Sequence, residues 1–120
     1  NLCKNRGMRL CTLKEWRGVC QKNGKYAYKS RYRRGSCNVE EPESSGEANQ
    51  VTAHPKCGYR GIYNLIGNVS EWTQEGMVMG GHYETEARDA NCSLAEKRAL
   101  NRKSPLVGFR CCTHLRMSTP

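Results

Sequence analysis

Gly61-Ile62-Tyr63-Asn64-Leu65-Ile66-Gly67-Asn68-Val69-Ser70-Glu71-Trp72 packs aromatic anchors, two glycines and several oxygen-bearing side chains into one short stretch. It reads as a loop built to be rigid. Ile62, Leu65, Ile66 and Val69 supply apolar anchors, and Gly67 permits a backbone turn closed to other residues. Asn64, Asn68 and Glu71 present oxygens, so the loop has the composition to wrap a hard cation.

The rest of the chain must hold such a loop in place with little apolar material. The 120 residues leave room for one domain, and 37% hydrophobic residues with a single Phe give a small core. Covalent staples therefore matter. Eight cysteines without any C-x-x-C, and with no close pair matched by a second, read as four disulfides in an oxidising compartment rather than as a zinc ribbon or finger. No C-x-x-C-H haem motif occurs. No stretch approaches the length of a membrane span and the mean hydropathy is -0.83, so membrane insertion is not expected. The chain has neither an initiator Met nor a signal-peptide pattern although its cysteines call for export. Asn1 is thus not expected to be the start of the gene product.

The net charge of +9 is unevenly spread. Lys22, Lys25, Lys29, Arg31, Arg33 and Arg34 alternate with Tyr26, Tyr28 and Tyr32, with no acid among them. Glu40, Glu41, Glu43 and Glu47 follow directly, and the two runs are expected to neutralise each other in part. The basic run is either a solvated face or a site for DNA, lipopolysaccharide or acidic glycans.

Asn1 to Arg6 reads as the tail of a helix with Gly7 as its left-handed stop. Thr12-Leu13-Lys14-Glu15 is a capping box that launches a helix to about Cys20, with Leu13, Trp16 and Cys20 on its buried face. From Gln21 to Tyr32 short extended pieces with a turn at Gly24 are expected, and Glu40 to Gln50 reads as an exposed loop. Asn68-Val69-Ser70 and Asn91-Cys92-Ser93 match the glycosylation sequon, the first inside the rigid loop where access is poor. His54, His82 and His114 are scattered and form neither a Ser-His-Asp order nor an H-E-x-x-H motif.

The opening stretch resembles the G-[LV]-Y-[DN]-x-x-G-N-x-x-E-W signature of the formylglycine-generating enzyme, or sulfatase-modifying factor, family. Three further segments resemble that family in the right order: Gly7-Met8-Arg9-Leu10-Cys11-Thr12-Leu13-Lys14-Glu15-Trp16, Met77-Val78-Met79-Gly80-Gly81-His82-Tyr83 and Gly108-Phe109-Arg110-Cys111. The resemblance implies an α+β, C-type-lectin-like fold that is small, loop-rich and stapled by disulfides. It implies one domain over residues 1–120, about half the family's usual domain length, hence the C-terminal part of a longer chain or a trimmed version.

The same resemblance implies bridges Cys3–Cys111 and Cys20–Cys92. We assign Cys37 to Cys57 across the acidic loop, and Cys11 to Cys112 because each adjoins a member of the first bridge; exchanged partners among these four remain open. The family's oxidase uses two cysteines in the loop after G-G-S-W to bind copper and convert a substrate cysteine to formylglycine. Here that loop, from Tyr83, holds only Cys92, so neither copper nor oxidase activity is expected. The family's sulfur-transferring iron enzymes draw histidine ligands from a separate domain. Calcium is the cofactor implied, structural in role, held by Asn64, the backbone near Gly67 and Val69, and the carboxylate of Glu71. A second family site would involve Asn38 and Val39, but the loop carrying its acids looks shortened.

Three functional readings follow. The first is a non-catalytic extracellular binding or assembly domain, secreted, surface-displayed or periplasmic, whose partner is a protein, a glycan or neighbouring subunits of a filament or virion. Its candidate surface comprises Lys25, Tyr28, Arg31, Tyr32, Arg33 and Arg34 together with His82, Tyr83 and Arg88, within a wider region from Glu84 to Ser104. The second is a fragment of an enzyme whose active residues lie elsewhere. The third is a polyanion-binding module using Lys22 to Arg34 with Lys97, Arg98, Arg102 and Lys103.

Overall fold

A computed structural model of the chain describes residues 2–59, 61–98 and 104–113. Lys4–Arg6 forms one 3-10 turn rather than the end of an α-helix, closed by Gly7 in the left-handed conformation, whose N–H donates to the Lys4 carbonyl. Strand β1 (Arg9–Leu10) leads into α1 (Leu13–Gln21). The capping box is formed: Thr12 Oγ1 accepts from the Glu15 N–H at 3.1 Å, and the Thr12 N–H donates to Glu15 Oε1 at 2.8 Å. Hydrogen bonding to the Arg9 guanidinium, at 2.6 and 2.7 Å, draws the Glu15 carboxyl down to a pKa of about 2 against the cost of its partial burial, with Thr12 assisting.

Seven short strands follow: β2 (Gly58–Tyr59), β3 (Ile62–Tyr63), β4 (Ser70–Trp72), β5 (Met77–Met79), β6 (Ala95–Lys97), β7 (Val107–Phe109) and β8 (Cys111–Cys112). They form two small antiparallel pairs, β1 with β8 and β2 with β3, and one sheet in the order β6-β5-β4-β7. Within that sheet β4 and β7 run parallel, with Glu71 opposite Gly108. Parallel neighbours need a long crossover, and here it carries β5, β6 and the 81–94 loops. The segment 21–32 contains no strand. It is an irregular loop, because Tyr26, Ala27 and Tyr28 turn into the core and leave no ladder partner.

Trp16, Ile66, Met79 and Thr73 are the largest fully buried side chains, and seven of the eight cysteines are buried with them. Disulfides therefore fill the core as well as closing it. The bridges are Cys3–Cys111, Cys11–Cys112, Cys20–Cys92 and Cys37–Cys57. Two of them, spanning 108 and 101 residues, lie side by side at the β1–β8 pair and tie both ends of the described chain together.

Two glycines set how the central loop meets this core. At Gly67 (φ 75°) a Cβ would lie 2.5 Å from the Asn38 carbonyl oxygen, and at Gly80 (φ 86°) it would lie 2.0 Å from that of Leu65. Backbone meets backbone at both places, which no other residue permits.

Candidate functional site

Beyond Gly61 (φ 81°), the loop 61–72 turns three times through left-handed backbone, at Asn64 (φ 57°), Gly67 and Asn68 (φ 62°). Each turn is locked by hydrogen bonds. The Asn64 N–H donates to the Cys57 carbonyl, the Gly67 N–H to that of Gly80 and the Asn68 N–H to that of Asn38, at 2.8, 2.9 and 2.8 Å. The Asn68 side chain is spent within the protein: its Oδ1 accepts from Asn38 Nδ2 and the Asn49 N–H, and its Nδ2 donates to the Asn49 carbonyl. It is buried, so the sequon at Asn68 is closed to modification. Asn38 also gives an amide hydrogen bond to the Glu47 carbonyl, and Val39 is core, which leaves this corner a packing element.

At the end of the loop Glu71 is only 5% exposed. Its Oε1 accepts from Trp16 Nε1 at 3.0 Å and from Arg110 Nε at 2.9 Å, and its Oε2 accepts from Arg110 Nη2 at 3.1 Å. The same guanidinium group donates to the Tyr63 carbonyl at 2.6 Å. Burial alone would make Arg110 less basic, but the charge and hydrogen bonds of Glu71 outweigh it and raise its pKa. Residues from α1, β4 and the β7–β8 junction thus converge on one carboxylate. The Glu of the E-W motif and the Arg of the G-F-R motif owe their residue types to this pair.

Asn64, Val69 and Glu71 line one cleft of about 470 Å³, together with Arg110, Phe109 and Val51; Gly67 is not in its wall. Asn64 Nδ2 donates to the Val51 carbonyl at 2.8 Å, while its buried Oδ1 has no hydrogen-bond partner. Leaving such an oxygen unpaired costs about 1–3 kcal/mol. A hard cation would remove that cost, and Glu71 Oε2, which accepts one hydrogen bond from the described residues, has lone-pair capacity to share. These oxygens fit calcium in chemical type, with the Arg110 charge as the opposing feature. Among the described residues no three His, Cys, Asp or Glu side chains cluster as a metal site.

The loop after Gly80-Gly81 contains Cys92 alone, and Cys92 is bridged to Cys20. No cysteine of the chain is free. His82 and Tyr83 stand on a turn against the central loop, where the Tyr83 N–H donates to the Asn68 carbonyl at 2.9 Å and the two rings meet edge-on.

In the basic segment, the structure brings Lys25, Tyr32 and Arg88 together but removes Tyr28 from the surface. Tyr28 is 8% exposed, and its hydroxyl accepts from the Arg33 N–H at 2.9 Å. Lys25 lies over the ring of Tyr26 and Arg88 over the ring of Tyr32, with the two tyrosines 6.1 Å apart. Sequence reasoning missed Tyr26 as the anchor, since exposed and buried tyrosines look alike in a basic run. Neutralisation by the acidic run is confined to one end: Arg34 pairs with Glu43 at 2.8 Å, and the Tyr32 hydroxyl donates to Glu41. Burial and Glu41 push the Tyr32 phenol up to about 12. Arg31 and Arg33 remain exposed. Lys97 and Arg98 lie on and beside β6, with Arg98 4.0 Å from Glu96, whereas Arg102, Lys103 and His114 lie outside the described residues.

No curated protein matches the chain. The model of the sulfatase-modifying factor enzyme 1-like domain matches residues 1–115. That match takes in the central loop, the Glu71–Arg110 pair it presents and all eight cysteines, and with it the chain belongs to the sulfatase-modifying factor family and has its C-type-lectin-like α+β fold.

Proposed function

We propose that this chain is a non-catalytic binding or assembly domain that works in a secreted, extracellular or periplasmic setting. The observation that carries the reading is the state of the cysteines: all eight stand in bridges, so no thiolate pair is available to a soft metal. Four disulfides belong to an oxidising, non-cytoplasmic compartment, and no described helix is long and apolar enough to cross a membrane. What remains is a stapled scaffold with rigid loops, suited to presenting contacts to a protein, a glycan or neighbouring subunits of a larger assembly.

The test is direct. The oxidised chain is mixed with copper(I), oxygen and a cysteine-containing peptide, and aldehyde formation is followed by mass spectrometry beside a competitive copper(I) titration. The expected result is no aldehyde and no stoichiometric copper(I). Catalytic conversion of the peptide would return the chain to the oxidases.

The reading includes calcium as a structural ion at Asn64, Val69 and Glu71. Asn64 contributes its unpaired oxygen, Glu71 a shared carboxylate and Val69 its backbone. Calcium at one hundred times its dissociation constant is expected to add about 2.7 kcal/mol of stability, read as a rise in the melting temperature over a chelator control. Asn64→Ala should abolish the rise. An equal rise with magnesium, or one that survives Asn64→Ala, would count against this site.

A further inference from the structure

The loop between α1 and Cys37 carries cations in a form that a sequence cannot show. Its backbone is fixed from within: the Tyr26 N–H donates to the Lys29 carbonyl at 3.0 Å, the Ala27 N–H to that of Gly24 at 3.0 Å, and Asn23 Nδ2 to that of Tyr28 at 2.7 Å. Gly24 (φ 104°) lets the loop close on itself, since a Cβ there would lie 2.5 Å from the Lys29 and Ser30 backbone. Tyr26 and Tyr28 are driven into the core, and bridges Cys20–Cys92 and Cys37–Cys57 hold the two ends. The loop is a rigid shelf.

On that shelf Lys22, Lys25, Lys29, Arg31 and Arg33 are exposed, and Arg88 joins them from a loop far along the chain through its contact with Tyr32. None of the six forms an ion pair with a described residue, whereas Arg34 next to them does. Cations carried on an already fixed backbone bind anions without the cost of ordering the chain, and only their side chains lose freedom. A flexible basic tail would lose backbone freedom as well.

We propose that this shelf docks a sulfated polysaccharide. The proposal rests on the reading of the chain as a non-catalytic binding domain and names the partner's chemistry. Three features favour a sulfated glycan over nucleic acid. Base stacking needs exposed aromatic faces, yet Tyr26 and Tyr28 are buried and Tyr32 is covered by Arg88 and bonded to Glu41. The major groove of a duplex takes a helix or a β-ribbon, and this loop is neither. The four disulfides place the shelf where extracellular polyanions are met. Among glycans, a sulfated chain has the highest charge density and releases the most counterions on contact with six cations.

The experiment measures binding of the intact oxidised chain to dextran sulfate, neutral dextran and a thymidine oligonucleotide across a salt series. Tight binding to dextran sulfate, none to neutral dextran, and a steep loss with salt are expected, with the oligonucleotide weaker at equal charge. Arg31→Glu with Arg33→Glu should lower affinity for dextran sulfate at least ~10-fold. Lys14→Glu with Lys56→Glu makes the same change in net charge at exposed positions outside the 22–33 loop, and should lower it less than ~3-fold. Equal losses in the two double variants would mean that the overall charge of +9 is responsible and would overturn the proposal. Tighter binding to the oligonucleotide, or none to dextran sulfate, would overturn it as well. Neither outcome touches the copper and peptide test, so the two readings fail separately.

Discussion

Alanine at both Cys11 and Cys112 is expected to lower the unfolding free energy by about 3 kcal/mol, and alanine at Cys3, Cys11, Cys111 and Cys112 together by about 7 kcal/mol. The second loss is more than twice the first because the two bridges share one constraint. Cys3–Cys111 and Cys11–Cys112 span 108 and 101 residues, but with Cys20–Cys92 in place each alone closes a ring of only about 30–40 residues that runs through that bridge. With one in place, however, the other closes a ring of only about ten residues, running from Cys3 to Cys11 and back through the adjacent Cys111 and Cys112, and its entropic contribution falls accordingly. Removing either bridge forfeits the small ring; removing both forfeits the large one too. Urea unfolding of the two single-bridge variants and the double variant measures this, with the slope read separately because an uncrosslinked denatured chain expands. Single losses of about 4 kcal/mol each would mean that the bridges act independently, against the shared-constraint account. A typical domain has only about 5–15 kcal/mol of stability, so the double variant should be largely unfolded at room temperature.

Glu71→Gln is expected to cost about 3–5 kcal/mol although it changes a single atom. The amide oxygen still accepts from Trp16 Nε1, so packing and that hydrogen bond survive. What is lost is the charge that compensates Arg110 and the hydrogen bond from Arg110 Nη2, which would meet the amide NH2, a donor; this guanidinium is buried beside β7 with one further acceptor in the Tyr63 carbonyl. A buried cation without its carboxylate bears its full desolvation cost. Adding Arg110→Met to Glu71→Gln removes the stranded charge, and the double variant should be more stable than Glu71→Gln alone. Chemical denaturation of the four proteins in this cycle gives the coupling. A double variant that is less stable than both single variants would show that Arg110 is held by contacts other than Glu71. The calcium titration is informative here too: Glu71→Gln should weaken the calcium response, whereas Arg110→Met, by removing a repelling charge, should strengthen it.

The residues that carry the fold and those that form the basic shelf were legible to different degrees. Thr12, Glu15 and Trp16 announce α1 because a capping box and a buried helical face are written at spacings of three and four residues, where chain connectivity alone sets the geometry. The turns at Gly7, Gly24 and Gly67 were legible in the same way, since positive φ is a local property and glycine adopts it freely. The structure has the bridges Cys3–Cys111 and Cys20–Cys92 that the family resemblance implies, and it pairs Cys37 with Cys57 and Cys11 with Cys112, which position in the sequence suggested while leaving exchanged partners open.

Contacts between distant segments were not written locally. Glu71 reads in the sequence as an oxygen donor of the central loop, a candidate calcium ligand, but packing α1 and the β7–β8 junction against β4 gives it an arginine and a tryptophan as partners. Tyr26, Tyr28 and Tyr32 look equivalent in a basic run; only the closure of the Gly24 loop sends the first two inward and leaves the third under Arg88. The helix tail expected over Asn1 to Arg6 is a single 3-10 turn at Lys4–Arg6, closed by Gly7 in the expected left-handed conformation. The extended pieces expected over 21–32 become an irregular loop because no strand lies alongside to pair with them. Local propensity and charge order are properties of the chain. Which charge is buried, which is paired and which faces solvent depends on desolvation and on neighbours that only tertiary packing supplies.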